Sequence, residues 1–175
     1  MFVSRSMTRK VITVDPEDGI FKAQELMAEN KIRHLPVIES NNRLIGVVTD
    51  RDIRSALPYK FFKESPGEEE KKKFSELKIK DIMTKNPITI SPTYTLQDAL
   101  LMIQDARVGA LPVVDDNGIL NGIISVRDLL RAFINVLGIG EPGTLLCILV
   151  EEKIGQLKQI VDAITEENIS FGSVL

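Results

Sequence analysis

The sequence feature that most constrains the fold is an internal duplication. When residue 7 is aligned with residue 83, the chain matches itself without a gap through residue 57. Of these 51 aligned positions 15 are identical, including the pairs Met7/Met83 and Gly46/Gly122. The offset between the copies is longer than the unit of most solenoid arrays. The chain is therefore predicted to contain two similar lobes.

Both copies predict the same element order, β-α-β-β-α, after a short helical turn around residues 3–7 or 79–83. The first strand is predicted over 11–14 or 88–90, and in each copy it is ended by the next residue, which is followed by proline. Apolar residues of helical period follow, and then two strands around a polar turn, over 35–38 and 44–48 or 111–114 and 120–124. One such lobe leaves a sheet face poorly covered. An α+β fold with two lobes packed on each other is therefore predicted.

In each lobe the last strand runs directly into a helix start. The residues that matter are Thr49 and Asp52 in lobe one, and Ser125 and Asp128 in lobe two. A hydroxyl residue followed three positions later by an acid is a capping-box signature. The same groups could bind a ligand, because a carboxylate accepts two hydrogen bonds from ribose hydroxyls and a helix start can hold a phosphate. Both interpretations stay open on sequence alone.

The order of these motifs resembles the CBS domain, with Met-Thr before the first strand, Leu-Pro-Val in the second and Gly-x-x-Thr/Ser-x-x-Asp after the third. Two copies in tandem resemble a CBS pair, or Bateman module. The resemblance predicts a first CBS domain over residues 2–57, a linker over 58–77 and a second CBS domain over 78–137, packed as a pseudo-two-fold pair. The linker contains a charge run over 68–73 that predicts a solvated helical turn.

The resemblance implies a regulatory module that binds AMP, ADP, ATP, S-adenosylmethionine or NAD in clefts between the repeats and signals by a change in packing. It also implies a homodimer and leaves a regulated partner protein open. The alternative is a structural dimerisation or protein-interaction module with vestigial clefts.

The resemblance assigns the ribose to the two aspartates and the phosphates to the two hydroxyls. Arg33-His34, before Leu-Pro-Val, resembles a phosphate-binding basic pair, whereas lobe two has Gly109-Ala110 there. The clefts are therefore expected to differ, and at least one is expected to prefer a phosphorylated nucleotide. The candidate nucleotide-binding residues are Lys10, Thr13, Arg33, His34, Thr49, Arg51, Asp52, Asn86, Thr89, Ser125, Arg127 and Asp128.

The pattern changes from residue 144. The run over 144–150, apolar throughout after Thr144, predicts a strand, apolar residues of helical period predict a helix, and 169–174 predicts a further strand. This unit, residues 144–175, resembles the first half of an ACT domain, and a CBS pair followed by an ACT region is similar to AcuB-like bacterial proteins of acetoin utilisation. Two strands are too few for a stable unit, so it either adds to a partner or is cut short. Cys147, within the apolar run, is expected to be a buried, inert thiol.

Charge and composition limit the functional classes. A net charge of -3 predicts no general attraction to nucleic acid or to an anionic membrane, and no run of 18 apolar residues predicts a transmembrane helix. With one histidine and one cysteine, the sequence predicts no metal site, no catalytic residues and no required cofactor, so the protein is expected not to be an enzyme. The single cysteine and the absence of a signal-peptide pattern predict a cytoplasmic location.

Overall fold

A computed structural model of the chain describes residues 1–57, 74, 76–139 and 142–171. The chain divides into two compact units, Met1–Leu129 and Leu130–Leu175. The charge run over 68–73 and most of the predicted linker lie outside the described residues. No helix in the described part of the chain is long and apolar enough to cross a membrane.

Lobe one is built on an antiparallel hairpin packed against two helices. Helix α1 (Val3–Ser6) begins the chain, and the elements of the lobe follow as α2 (Ile20–Asn30), β1 (His34–Ile38), a 3-10 turn (Ser40–Asn42), β2 (Leu44–Thr49) and α3 (Asp50–Ala56). Strands β1 and β2 pair with His34 opposite Thr49. The predicted first strand is reduced to one parallel bridge, Val14 beside Val37, because the chain turns away at Asp15-Pro16.

Lobe two repeats this arrangement at equivalent positions. Its elements are α4 (Ile79–Ile82), β3 (Thr84–Lys85), α5 (Leu96–Ala106), β4 (Ala110–Val114), β5 (Leu120–Ser125) and α6 (Val126–Val136). Ala110 lies opposite Ser125, and Ile90 forms one parallel bridge beside Val113. The predicted α+β duplication is confirmed, and the strand predicted over 88–90 is again only a bridge.

The two lobes exchange their leading segments. Strand β3 pairs with β2 of lobe one, with Thr84 opposite Val47, and Thr8 bridges to Ile123 on β5 of lobe two. The helical turns are exchanged in the same way, since the Val3 amide donates to the Tyr94 carbonyl at 2.8 Å. Each repeat therefore completes the sheet of the other, which the sequence did not predict.

Apolar side chains anchor both exchanged segments. Val3 in α1 and Ile79 in α4 are fully buried, and Ile79 belongs to the core cluster of lobe one. A Cβ atom at Gly46 would lie 2.6 Å from the Met83 sulfur and 3.0 Å from the Thr84 carbonyl oxygen. The glycine in β2 therefore allows the exchanged segment to approach the sheet closely.

In the second unit, the described residues after α6 form one helix, α7 (Gln156–Glu166). The strand predicted over 144–150 is wrong: these residues have no regular secondary structure and no backbone–backbone hydrogen bond to any described residue, and 169–171 form no strand. An apolar sequence alone does not make a strand, because its backbone groups need a partner strand. The thiol of Cys147 is exposed, so the expectation that it is buried is also wrong. Residues 172–174 of the last predicted strand lie outside the described residues.

Candidate ligand site at the strand–helix junctions

The junction of lobe one is a complete capping box. The Thr49 amide and hydroxyl both donate to Oδ2 of Asp52, at 2.8 and 2.7 Å, and the Asp52 amide donates to the hydroxyl oxygen at 3.3 Å. Both residues are half-buried, and Oδ1 of Asp52 receives no hydrogen bond from the described residues. The capping role is therefore confirmed, and one carboxylate oxygen is left for another donor.

The junction of lobe two has the same geometry but is more deeply buried. The Ser125 amide and hydroxyl donate to Oδ2 of Asp128 at 2.9 and 2.6 Å, and the Asp128 amide donates back to the hydroxyl at 3.3 Å. Asp128 is only 8% exposed. A carboxylate this close to the interior depends strongly on its hydrogen-bond donors.

A third box of the same kind caps α5, away from the junctions. The Thr95 amide and hydroxyl donate to Oδ2 of Asp98 at 2.8 and 2.7 Å. The Thr95 hydroxyl, followed by its amide, holds the pKa of Asp98 below its usual value. Lobe one has Gly19 and Lys22 at these positions, so this cap has no repeat partner. This cap was not among the predicted features, although Thr-x-x-Asp before an apolar helix indicates a helix start.

The basic pair of lobe one lies beside its junction. The Asp50 amide donates to the Arg33 carbonyl at 3.1 Å, and His34 pairs with Thr49 across the hairpin. The imidazole packs against lobe two, since a Cβ atom at Gly109 would lie 2.8 Å from its Cε1 and Nε2 atoms. Burial lowers the pKa of His34, and Arg33 lowers it further, while the nearby carboxylates oppose the shift.

The four candidate ligand residues from the predicted first strands lie outside the strands. Lys10 and Asn86 are exposed, whereas Thr13 and Thr89 are half-buried. Asn86 adopts a left-handed backbone, φ 48°, and its amide donates to the Ile45 carbonyl of lobe one. Among the described residues, none of these four side chains hydrogen bonds to a junction. Their assignment to the ligand stays a prediction.

A groove of about 430 Å³ opens between α2 and α3, and we call it the basic groove. It brings together Arg33 of lobe one and Arg127 of lobe two, which the sequence could not place near each other. The other predicted ligand residues do not line it. Its lining residues are Gln24, Met27, Ala28, Lys31, Ile32, Arg33, Asp50, Ile53, Arg54 and Arg127.

The described residues contain no group of three or more histidine, cysteine, aspartate or glutamate side chains that could hold a metal ion. The polar groups at the junctions are instead suited to an organic ligand. Carboxylate acceptors fit ribose hydroxyls, and arginines at a helix start fit phosphate.

Comparisons with known proteins give the same architecture. The family model of the CBS domain matches residues 3–59 and 79–135. The inosine-5'-monophosphate dehydrogenase of Korarchaeum cryptofilum is 39% identical over 121 residues, which are 69% of this chain and 22% of that protein. The chain thus spans less than a quarter of that relative.

The matches to two solved structures extend over almost the whole of those chains. CBSX2 of Arabidopsis thaliana, in complex with AMP, is 30% identical with a TM-score of 0.66, over 78% of this chain and 98% of that one. AcuB of Vibrio cholerae, named for acetoin utilization, is 27% identical with a TM-score of 0.66, over 83% of this chain and 98% of that one.

Proposed function

The chain belongs to the CBS-domain family as a tandem pair, and from that premise we propose that it is a regulatory module that binds an adenosine ligand between the repeats. The observation that carries the proposal is the pair of strand–helix junctions, each with a hydroxyl and a carboxylate at a helix start. CBSX2, a CBS pair 30% identical to this chain, has been solved in complex with AMP.

The junction chemistry supports this ligand class. In the first cleft, at the junction of lobe one, Oδ1 of Asp52 is left open by the capping box and accepts a ribose hydroxyl. In the second cleft, at the junction of lobe two, the Asp128 carboxylate contacts the ribose. Arg33 and His34 add positive charge beside the first junction, whereas lobe two has Gly109 and Ala110. We therefore assign a phosphorylated nucleotide (AMP, ADP or ATP) to the first cleft. S-adenosylmethionine and NAD remain candidates for the second.

The signal in this proposal is a change in packing, with no chemical step. Because each lobe holds a segment of the other repeat, a ligand that shifts one junction shifts both lobes. A homodimer then passes the change to a regulated partner protein. No nucleophile–base constellation takes part, so the proposal includes no catalysis, and purified protein is expected not to turn over ATP.

Two observations favour the alternative of a dimerisation or interaction module. Both junction carboxylates already cap a helix without any ligand, and several large apolar side chains of lobe two are exposed, including Leu101 at 57%. In that case the clefts are vestigial and the apolar surface carries the function.

Equilibrium dialysis of the full chain separates the two functions. The dialysis uses AMP, ATP and S-adenosylmethionine in separate cells, each up to millimolar concentration. Saturable binding of at least one ligand is expected. Binding of none of them would reject the adenosine sensor in favour of the interaction module.

A further inference from the structure

The basic groove carries positive charge against the overall sign of the chain. Four cationic side chains line it, Lys31, Arg33, Arg54 and Arg127, with one carboxylate, Asp50. The whole chain has a net charge of -3. The groove is therefore a local concentration of positive charge.

Within the part of the chain that the structure describes, three of these four cationic side chains have no partner. Arg54 forms an ion pair with Asp50. Among the described residues, the side chains of Lys31, Arg33 and Arg127 form no hydrogen bond or ion pair. Like charges that share one groove repel each other. An anionic ligand would offset this repulsion through its attraction to each cation.

The fold itself does not require this charge, because the equivalent surface of lobe two is more apolar. At the repeat-equivalent positions Gly109 stands in place of Arg33, Val126 in place of Asp50, and Leu100 in place of Gln24. The backbone arrangement is nevertheless the same in both lobes.

The lining residues also indicate the size and chemistry of the ligand. A volume of about 430 Å³ is that of a small-molecule site and exceeds what a single oxyanion fills. The guanidinium groups of Arg33 and Arg127, which no described side chain pairs with, can each contact two phosphate oxygens, and Lys31 adds a point charge. Several negatively charged groups in one ligand match several separated cations.

We propose that the basic groove binds a condensed phosphate, the chemistry of pyrophosphate or of a triphosphate chain. Two sources share this chemistry: a free condensed phosphate, and the phosphate tail of a nucleotide whose adenosine occupies the first cleft. The second source rests on the proposed function, whereas the first is independent of it. Arg33 and Asp50 line the groove, and Asp50 directly follows Thr49 of that junction.

The test is calorimetric titration of the full chain with sodium pyrophosphate in magnesium-free buffer. Lys31→Gln is compared with Arg107→Gln, a matched control at the equivalent C-cap of lobe two. Both residues have the same left-handed backbone, φ 54° and 53°. Urea midpoints of both variants equal to that of the wild type verify that folding is unaffected. Arg127→Gln is the second groove variant.

Saturable binding is expected, weakening as salt is added. Lys31→Gln and Arg127→Gln should each weaken it about threefold to tenfold, and Arg107→Gln should not. No binding of pyrophosphate or ATP, or an equal loss in Arg107→Gln, would overturn the proposal.

A second pair of titrations, with ATP and AMP, identifies the source of the phosphate. Tighter binding of ATP than of AMP, with the difference removed by Lys31→Gln, assigns the groove to a nucleotide tail. Pyrophosphate binding without that difference assigns it to a free condensed phosphate. If the wild-type protein binds pyrophosphate but not AMP, the adenosine site is rejected and the groove stands. The two failures are therefore distinguishable.

Discussion

Three aspartates form the same capping box, but only two of them stand at a strand–helix junction. Asn in place of Asp52, Asp128 or Asp98 keeps the shape of the side chain and removes its charge. If the junction carboxylates also bind ribose, Asp52→Asn and Asp128→Asn should weaken both the fold and AMP binding. Asp98→Asn should weaken the fold alone.

The hydrogen bonds set the expected magnitudes. In the junction boxes Oδ2 accepts two bonds of 2.6 to 2.9 Å from the preceding hydroxyl residue. Weakening such a cap costs about 1 kcal/mol, and the cost should be higher at Asp128, which is 8% exposed. A hydrogen bond to a charged group contributes about 1.5–3 kcal/mol. The dissociation constant for AMP should therefore rise about tenfold or more.

Two measurements on the same protein samples decide the matter. Urea denaturation followed by circular dichroism gives the free energy of unfolding, and calorimetric titration gives the affinity for AMP. Asp98→Asn controls for any general effect of a weakened cap. Unchanged AMP affinity in both junction variants, or an equal loss in Asp98→Asn, would refute the ribose contact and leave three helix caps.

Three further predictions test the fold and the site. Gly46→Ala should lower the free energy of unfolding by about 1–3 kcal/mol, because its Cβ would crowd the exchanged segment, whereas Gly143→Ala, with nothing within 4 Å, should be nearly neutral in the same urea titration. The stabilisation from Asp98 should be present above its unfolded pKa and lost as pH falls through its lowered folded pKa, so wild type and Asp98→Asn should converge in acid; a constant difference would contradict the shift. Asp52→Glu should keep the capping box but misplace the ribose contact, leaving urea stability nearly unchanged while AMP affinity falls.

Local sequence patterns predicted the repeated element order well. The capping boxes are local too, since hydroxyl and acid lie three residues apart in sequence, and both junctions formed as predicted. The exchange of segments could not be predicted in this way. Met7 and Met83 are equivalent residues of the two repeats and are both methionine. Each would therefore bury the same kind of side chain whether it packed on its own lobe or on the other lobe. Only the three-dimensional pairing distinguishes the two.

The other features that the sequence did not predict also depend on contacts between residues far apart in the chain. The proximity of Arg127 to Lys31 depends on how the lobes pack, and no spacing in the sequence encodes it. The run over 144–150 had the composition of a strand, but composition does not supply a partner for backbone hydrogen bonds. Cys147 lies in this run and is exposed.

The exchanged segments set an order on folding during synthesis. Lobe one cannot complete its core until Ile79 has left the ribosome, although its own hairpin and helices end at Ala56. Val3, in contrast, is made first and must wait for the sheet of lobe two, of which its neighbour Thr8 forms part. A nascent chain carrying only the first repeat therefore exposes apolar surface at both positions. Neither repeat is a complete folding unit, and a chain cut between them would leave two open cores.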